Sequence, residues 1–173
     1  MTKIILLAFF VVFPHITFGQ TTTVKLYFGN EKFNPNTADC SKVYPVKRTF
    51  TKTRSIAKAT LEELFRGATK NENSKGYTSF SRAETKGILK RIKIKNNAAY
   101  INFNKVIYHQ LGSATTSCGG SQFFSMVERT LRQFPSIKKF FYAIESNPRD
   151  FYEWIQVGEC PKELKNCSNK NFK

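Results

Sequence analysis

The sequence predicts an α+β domain: a mixed, mainly antiparallel sheet with two helices packed on one face, in the order β-β-α-β-β-α-β-β. Three observations lead there. Apolar residues alternate with polar ones at 23–28 and again on both sides of Asn96-Asn97. Apolar residues recur every three or four positions at 56–65 and 123–134. No strand-helix-strand unit with a glycine-rich turn occurs, which argues against a doubly wound nucleotide-binding sheet.

Each element has its own signal. In 23–28, Val24, Leu26 and Phe28 share one face and Lys25 and Tyr27 the other, which predicts a half-buried strand ended by Gly29-Asn30. A polar loop with Pro35 and Cys40 follows. Residues 43–50 form a second extended run, which Pro45 places at an edge or a strand start because proline has no N–H for the ladder. Ile56, Ala57, Leu61, Leu64 and Phe65 then mark a helix, with Gly67 at the C-terminal cap position. Residues 68–86 read as a polar loop tethered by Tyr77 and Phe80. Ile88, Leu89, Ile92 and Ile94, then Ala99, Ile101 and Phe103, flank Asn96-Asn97 and predict a hairpin, since asparagine tolerates positive φ.

Residues 104–117 read as a second long loop, holding His109. Phe123, Val127, Leu131 and Phe134 mark a second helix, opening at Gly119 and stopped by Pro135. Residues 137–144 read as a strand, and the aromatic run 151–157 as a last strand. Residues 161–173, rich in Lys and Asn, are expected to fray.

The ends and the bulk composition bound the setting. Lys3 precedes an apolar run from Ile4 to Phe13, and Gly19 supplies a small residue before Gln20. That is the layout of a secretory signal cleaved after Gly19, too short for the roughly 20 apolar residues of a membrane-spanning helix. The expected organisation is a signal peptide at 1–19, one domain at 20–160 and a basic tail at 161–173, exported to the periplasm or beyond. The chain carries 28 Lys and Arg against 12 Asp and Glu, a formal net charge of +16. Such a charge attracts anions, and anionic envelope polymers and acidic protein faces are the candidate partners; export weighs against nucleic acid.

Cys40, Cys118, Cys160 and Cys167 form an even set in an exported chain, which favours disulfides. Zinc is disfavoured because no two cysteines have knuckle spacing. Cys160 with Cys167 and Cys40 with Cys118 is the favoured pairing; the rival ties Cys160 to the main domain and leaves Cys167 odd. No cofactor is indicated.

The same residues resemble a known family, the GerMN domain of sporulation and germination proteins. The opening strand 23–28 and the strand 43–48 match in order, followed by Leu61-Glu62-Glu63-Leu64-Phe65-Arg66-Gly67, with Ala68-Thr69 where the family often carries Pro-Thr. The hairpin 92–103 and the stretch Leu131-Arg132-Gln133-Phe134-Pro135-Ser136-Ile137-Lys138-Lys139-Phe140 look like the family's later landmarks. The resemblance spans about residues 22–158, room for one such domain. It implies an α/β module of envelope-associated assemblies, in some cases built as rings, and brings no catalytic residues.

A search for chemistry in the residues agrees with that implication. His109 with Cys118 is the one arrangement with a nucleophile and a base, and disulfide use of Cys118 is the simpler reading. Glu62 and Glu63 diverge on a helix; Asp150 and Glu153 have nothing to mark them as a glycosidase pair. Ser117-Cys118-Gly119-Gly120-Ser121 reads as a helix start. The basic residues give the candidate site: Arg91, Lys93 and Lys95 share one face of a strand, with Lys138 and Lys139 at the end of the second helix, as a possible anion-binding face. The expected function is a non-enzymatic binding or assembly module of the cell envelope, working on a protein partner or on itself through its sheet edges. The alternative is a monomeric binder of anionic polymers through the lysine faces, and a small secreted enzyme is the least supported. The strand with Pro45 and the final run 151–157 are the candidate edges.

Overall fold

The computed structural model describes residues 20–80 and 82–173. The expected signal peptide at 1–19 lies outside the described residues. Strand β1 (Thr21–Asn30) pairs antiparallel with β2 (Tyr44–Thr51), and its last two residues pair with β3 (Tyr77–Thr78). Helix α1 (Ile56–Phe65) follows β2. Two short helices, α2 (Lys70–Ser74) and α3 (Arg82–Thr85), flank β3. Strands β4 (Leu89–Lys95) and β5 (Ala98–Phe103) form the hairpin. After α4 (Ile107–Gln110) and the long helix α5 (Ser117–Leu131), β6 (Lys139–Ile144) returns parallel to β5 and leads into α6 (Pro148–Trp154).

The α+β class holds, while the arrangement differs from the single expected sheet. The strands form two three-stranded sheets, β2-β1-β3 and β4-β5-β6. Two side chains, one from α5 and one just past it, explain why, among the described residues, no further strand joins the middle of β1. Gln133, just past α5, accepts from the Lys25 N–H at 2.9 Å and donates to the Lys25 carbonyl at 2.8 Å. Thr130 accepts from the Tyr27 N–H at 3.0 Å. The edge that another strand would need is already satisfied by side chains.

The core lies between the sheets. Val24, Leu26 and Phe28 of β1 meet Leu61 and Leu64 of α1 and Phe123 and Val127 of α5 in one buried cluster. Phe123 is its aromatic hub, within 6.1 Å of the Phe80, Phe103 and Phe151 rings. β5 is buried along its whole length, unlike a strand with one wet face.

Four expectations change. The aromatic run after Pro148 is the helix α6, not a strand. Asn147 caps it by accepting from the Arg149 N–H, Pro148 sits in the first turn and Asp150 lies at the positive end. Helical spacing carries Phe151 and Ile155 to the core. The stretch 68–86 holds α2, β3 and α3: Thr69 and Glu72 form a capping box for α2, and Phe80 packs on Phe65 as the expected tether. The stretch 104–117 holds α4 and a 3₁₀ turn, Gly112–Thr115. Finally, the basic tail folds back rather than fraying: Leu164 and Phe172 are buried, and Phe172 meets Tyr100 edge-on at 5.4 Å.

Helix α5 starts at Ser117, two residues before Gly119, with Thr116 as its cap. Glycine is needed here for closeness, because a Cβ at Gly119 would lie 1.8 Å from the Ser113 carbonyl oxygen. The adjoining Cys118 bonds to Cys40, tying the 31–43 loop to the helix start, and Cys160 bonds to Cys167. Among the described residues no helix is long and apolar enough to cross a membrane.

Candidate functional site

The hairpin turn sets the geometry of the basic face. Asn96 and Asn97 both have positive φ, 50° and 59°, as a two-residue turn matched to the strand twist requires. The turn closes on the pair Lys95–Ala98, so the register runs Ile94–Ala99, Lys93–Tyr100, Ile92–Ile101 and Arg91–Asn102. Alternation of hydrogen-bonded and open pairs turns the backbone groups of Ile92 and Ile94 away from β5. Among the described residues no third strand covers that side, so β4 is an edge strand.

Arg91, Lys93 and Lys95 share one face of β4 and are exposed. Lys139 joins their row, because Ala98 pairs with Lys95 on one side and with Lys139 on the other. Lys138 and Lys139 are held there by their N–H groups, both donating to the Asn97 carbonyl at 2.7 and 3.1 Å. Among the described residues, Lys139 is the one of the five with an ion pair, to Glu163 of the folded tail at 3.4 Å. Lys95, Lys138 and Lys139 therefore sit at the turn end of the β4-β5-β6 sheet and Arg91 toward the other end, with Lys138 pointing the opposite way from Lys139 by strand alternation.

The other face of β4 is apolar. Ile92 and Ile94 line a groove with Ile56 and Ala57 of α1 and with Phe134, rimmed by Arg54 and Lys58. Ile94, one residue before the turn end of β4, is 43% exposed. Beside it the Arg132 guanidinium lies 4.8 Å from the Phe140 ring centre. Strand periodicity showed the lysine face; the groove was missed because it needs α1 placed beside β4.

The residues weighed for catalysis are otherwise engaged. Cys118 is in a disulfide, so it offers no thiolate to His109. Glu62 pairs with Lys58, Glu63 with Arg66 and Arg48, and Glu153 with Arg149, and Asp150 accepts from the Asn147 side-chain amide. Among the described residues no three His, Cys, Asp or Glu side chains gather as a metal site.

Of the two candidate edges read from the sequence, the Pro45 strand β2 is an edge strand of its sheet, and the 151–157 run is not a strand.

Comparison with known proteins places this geometry. A search among curated proteins found no match. Among solved structures, the chain is similar to the tandem GerMN domains of the sporulation protein GerM from Bacillus subtilis, with 19% identity and a TM-score of 0.51. That match covers 72% of this chain and 39% of the other, so this chain spans well under half the length of its structural relative. The first GerMN domain of the same protein matches at 20% identity and a TM-score of 0.45, covering 71% of this chain and 82% of that one. The family described as "Germane: Sporulation and spore germination" matches residues 25–149, and the chain belongs to that family.

Proposed function

We propose that this chain is an exported, non-catalytic module of the cell envelope that binds a protein partner by adding the partner's strand to β4. The observation that carries the reading is the open β4 edge, where Ile92 and Ile94 turn their backbone groups outward beside an apolar groove. A strand laid there gains main-chain hydrogen bonds. Its alternate side chains fall into the groove on one face and over Arg91, Lys93 and Lys95 on the other. The partner's segment therefore alternates apolar and acidic residues.

The same charges disfavour self-pairing. Two copies of β4 side by side would set cation rows against each other, and directly opposed like charges destabilise a strand pair. A heterotypic partner is the favoured occupant. Export is supported by the apolar run after Lys3 and by two disulfides, which persist in oxidising compartments. The family description supports a role in an envelope process of the sporulation or germination kind.

The test is binding of a synthetic peptide alternating Glu and Val, measured by calorimetry on the oxidised protein. Ile94→Pro removes an outward N–H that the fold does not use, so it is expected to weaken binding at least tenfold. Its melting temperature should stay near that of the parent. Equal binding by parent and variant, or no binding by the parent, would overturn the reading.

A further inference from the structure

A second cationic surface lies on the other sheet. In the β1–β2 register, Lys25 stands directly opposite Lys47. Because the Lys25 backbone groups turn away from β2 toward Gln133, this is an open, non-hydrogen-bonded pair, the kind in which opposed side chains lie closest. Tyr27 lies next along the same face, and Arg129 of α5 and Arg132, just past its end, form the wall of the cleft. A second cleft continues from it, sharing Tyr27 and Arg129 and reaching Lys42.

The charge in this groove is unbalanced. Among the described residues, Lys25, Lys42, Lys47 and Arg129 have no ion pair, while Arg132 reaches Glu128. Asp39 is the acid in the lining, and its carboxylate accepts from the Ser41 N–H and hydroxyl at 2.9 and 2.7 Å. Two lysines placed face to face oppose the pairing of their own strands unless an anion sits between them.

We infer that this groove binds a linear, phosphate-bearing polyanion. Cations strung along two joined clefts suit a ligand with repeated charges rather than a single small anion. An arginine on the wall offers a planar fork that matches phosphate oxygens. Strand addition is closed to a peptide ligand here, because Gln133 and Thr130 already occupy the β1 edge. The site is separate from the β4 edge and stands or falls independently of it.

Long-chain inorganic polyphosphate is the probe, with hyaluronan as a carboxylate polymer for comparison. Binding is read by calorimetry at two salt concentrations on the oxidised protein. Two triple variants remove equal charge: Lys25→Gln/Lys47→Gln/Arg129→Gln in the groove, and Arg91→Gln/Lys93→Gln/Lys95→Gln on β4. The inference expects the parent to bind polyphosphate more tightly than hyaluronan, with affinity falling as salt rises. It expects the groove variant to lose at least tenfold and the β4 variant no more than about twofold. Near-ultraviolet dichroism checks that both variants remain folded. Equal loss in both variants would reduce the effect to net charge and overturn the site. No polyphosphate binding by the parent would overturn it as well, and tighter hyaluronan binding would overturn the phosphate assignment.

Discussion

The Gln133 side chain stands in for a strand beside Lys25, accepting from its N–H at 2.9 Å and donating to its carbonyl at 2.8 Å. One amide thus meets both main-chain groups of an edge residue. This relationship closes the middle of β1 to a further strand, while β2 and β4 remain edge strands of their sheets.

Replacing Gln133 with Ala should cost about 1–2 kcal/mol, the sum of two modest hydrogen bonds. Urea unfolding gives that number directly. Hydrogen exchange should show the Lys25 amide losing protection while Leu26, on the β2 side, keeps most of its own. An unchanged Lys25 amide would remove Gln133 from its role.

Relieving the Lys25–Lys47 opposition should stabilise the domain. Lys47→Glu places opposite charges across the open pair and is expected to gain about 0.5 kcal/mol. The gain should shrink in high salt, because the pair is exposed. Thermal unfolding at low and high ionic strength measures both effects.

The two disulfides should differ in weight. Cys40 and Cys118 close a span of 78 residues, and Cys160 and Cys167 one of 7. Restriction of the unfolded chain grows with loop length. Paired Ser substitution should therefore cost about 4 kcal/mol at the first bridge and about 2 kcal/mol at the second. Denaturant midpoints for the two double variants settle the ranking.

Acid should act through Glu72. Burial raises its carboxyl, but hydrogen bonds from the Arg48 side chain and from the Thr69 N–H, with the Arg48 charge, outweigh burial and hold it below the usual glutamate value. A carboxyl lowered in the folded state contributes stability above its unfolded pKa, and that contribution is lost as pH falls through the folded pKa. The parent should thus lead Glu72→Gln at neutral pH, and the lead should close as pH drops below the ordinary glutamate range near 4.5. Parallel denaturation series across that interval provide the check.

Much of this fold was legible because local signals and burial agreed. Val24, Leu26 and Phe28 alternate and are all buried, and Asn96-Asn97 made the turn that its residues favour. The misreading at 151–157 came from an aromatic run whose helical and extended patterns look alike over so few residues. The better signal was Asn147-Pro148 with Asp150, a capped helix start. Phe172 and Leu164 were unreadable as core because their partners, such as Tyr100, lie far away in the chain. For the site, strand period placed Arg91, Lys93 and Lys95 together. The Lys25–Lys47 opposition needed the β1–β2 register, which no local signal supplies.

The most direct test of the central claim follows the Ile92 and Ile94 amides by NMR during titration with the alternating Glu and Val peptide. Strand addition to β4 predicts that both amides shift and gain exchange protection, while the Lys25 and Tyr27 amides, already bonded to Gln133 and Thr130, stay unchanged. Binding without protection at Ile92 and Ile94, or shifts centred on another face, would contradict it.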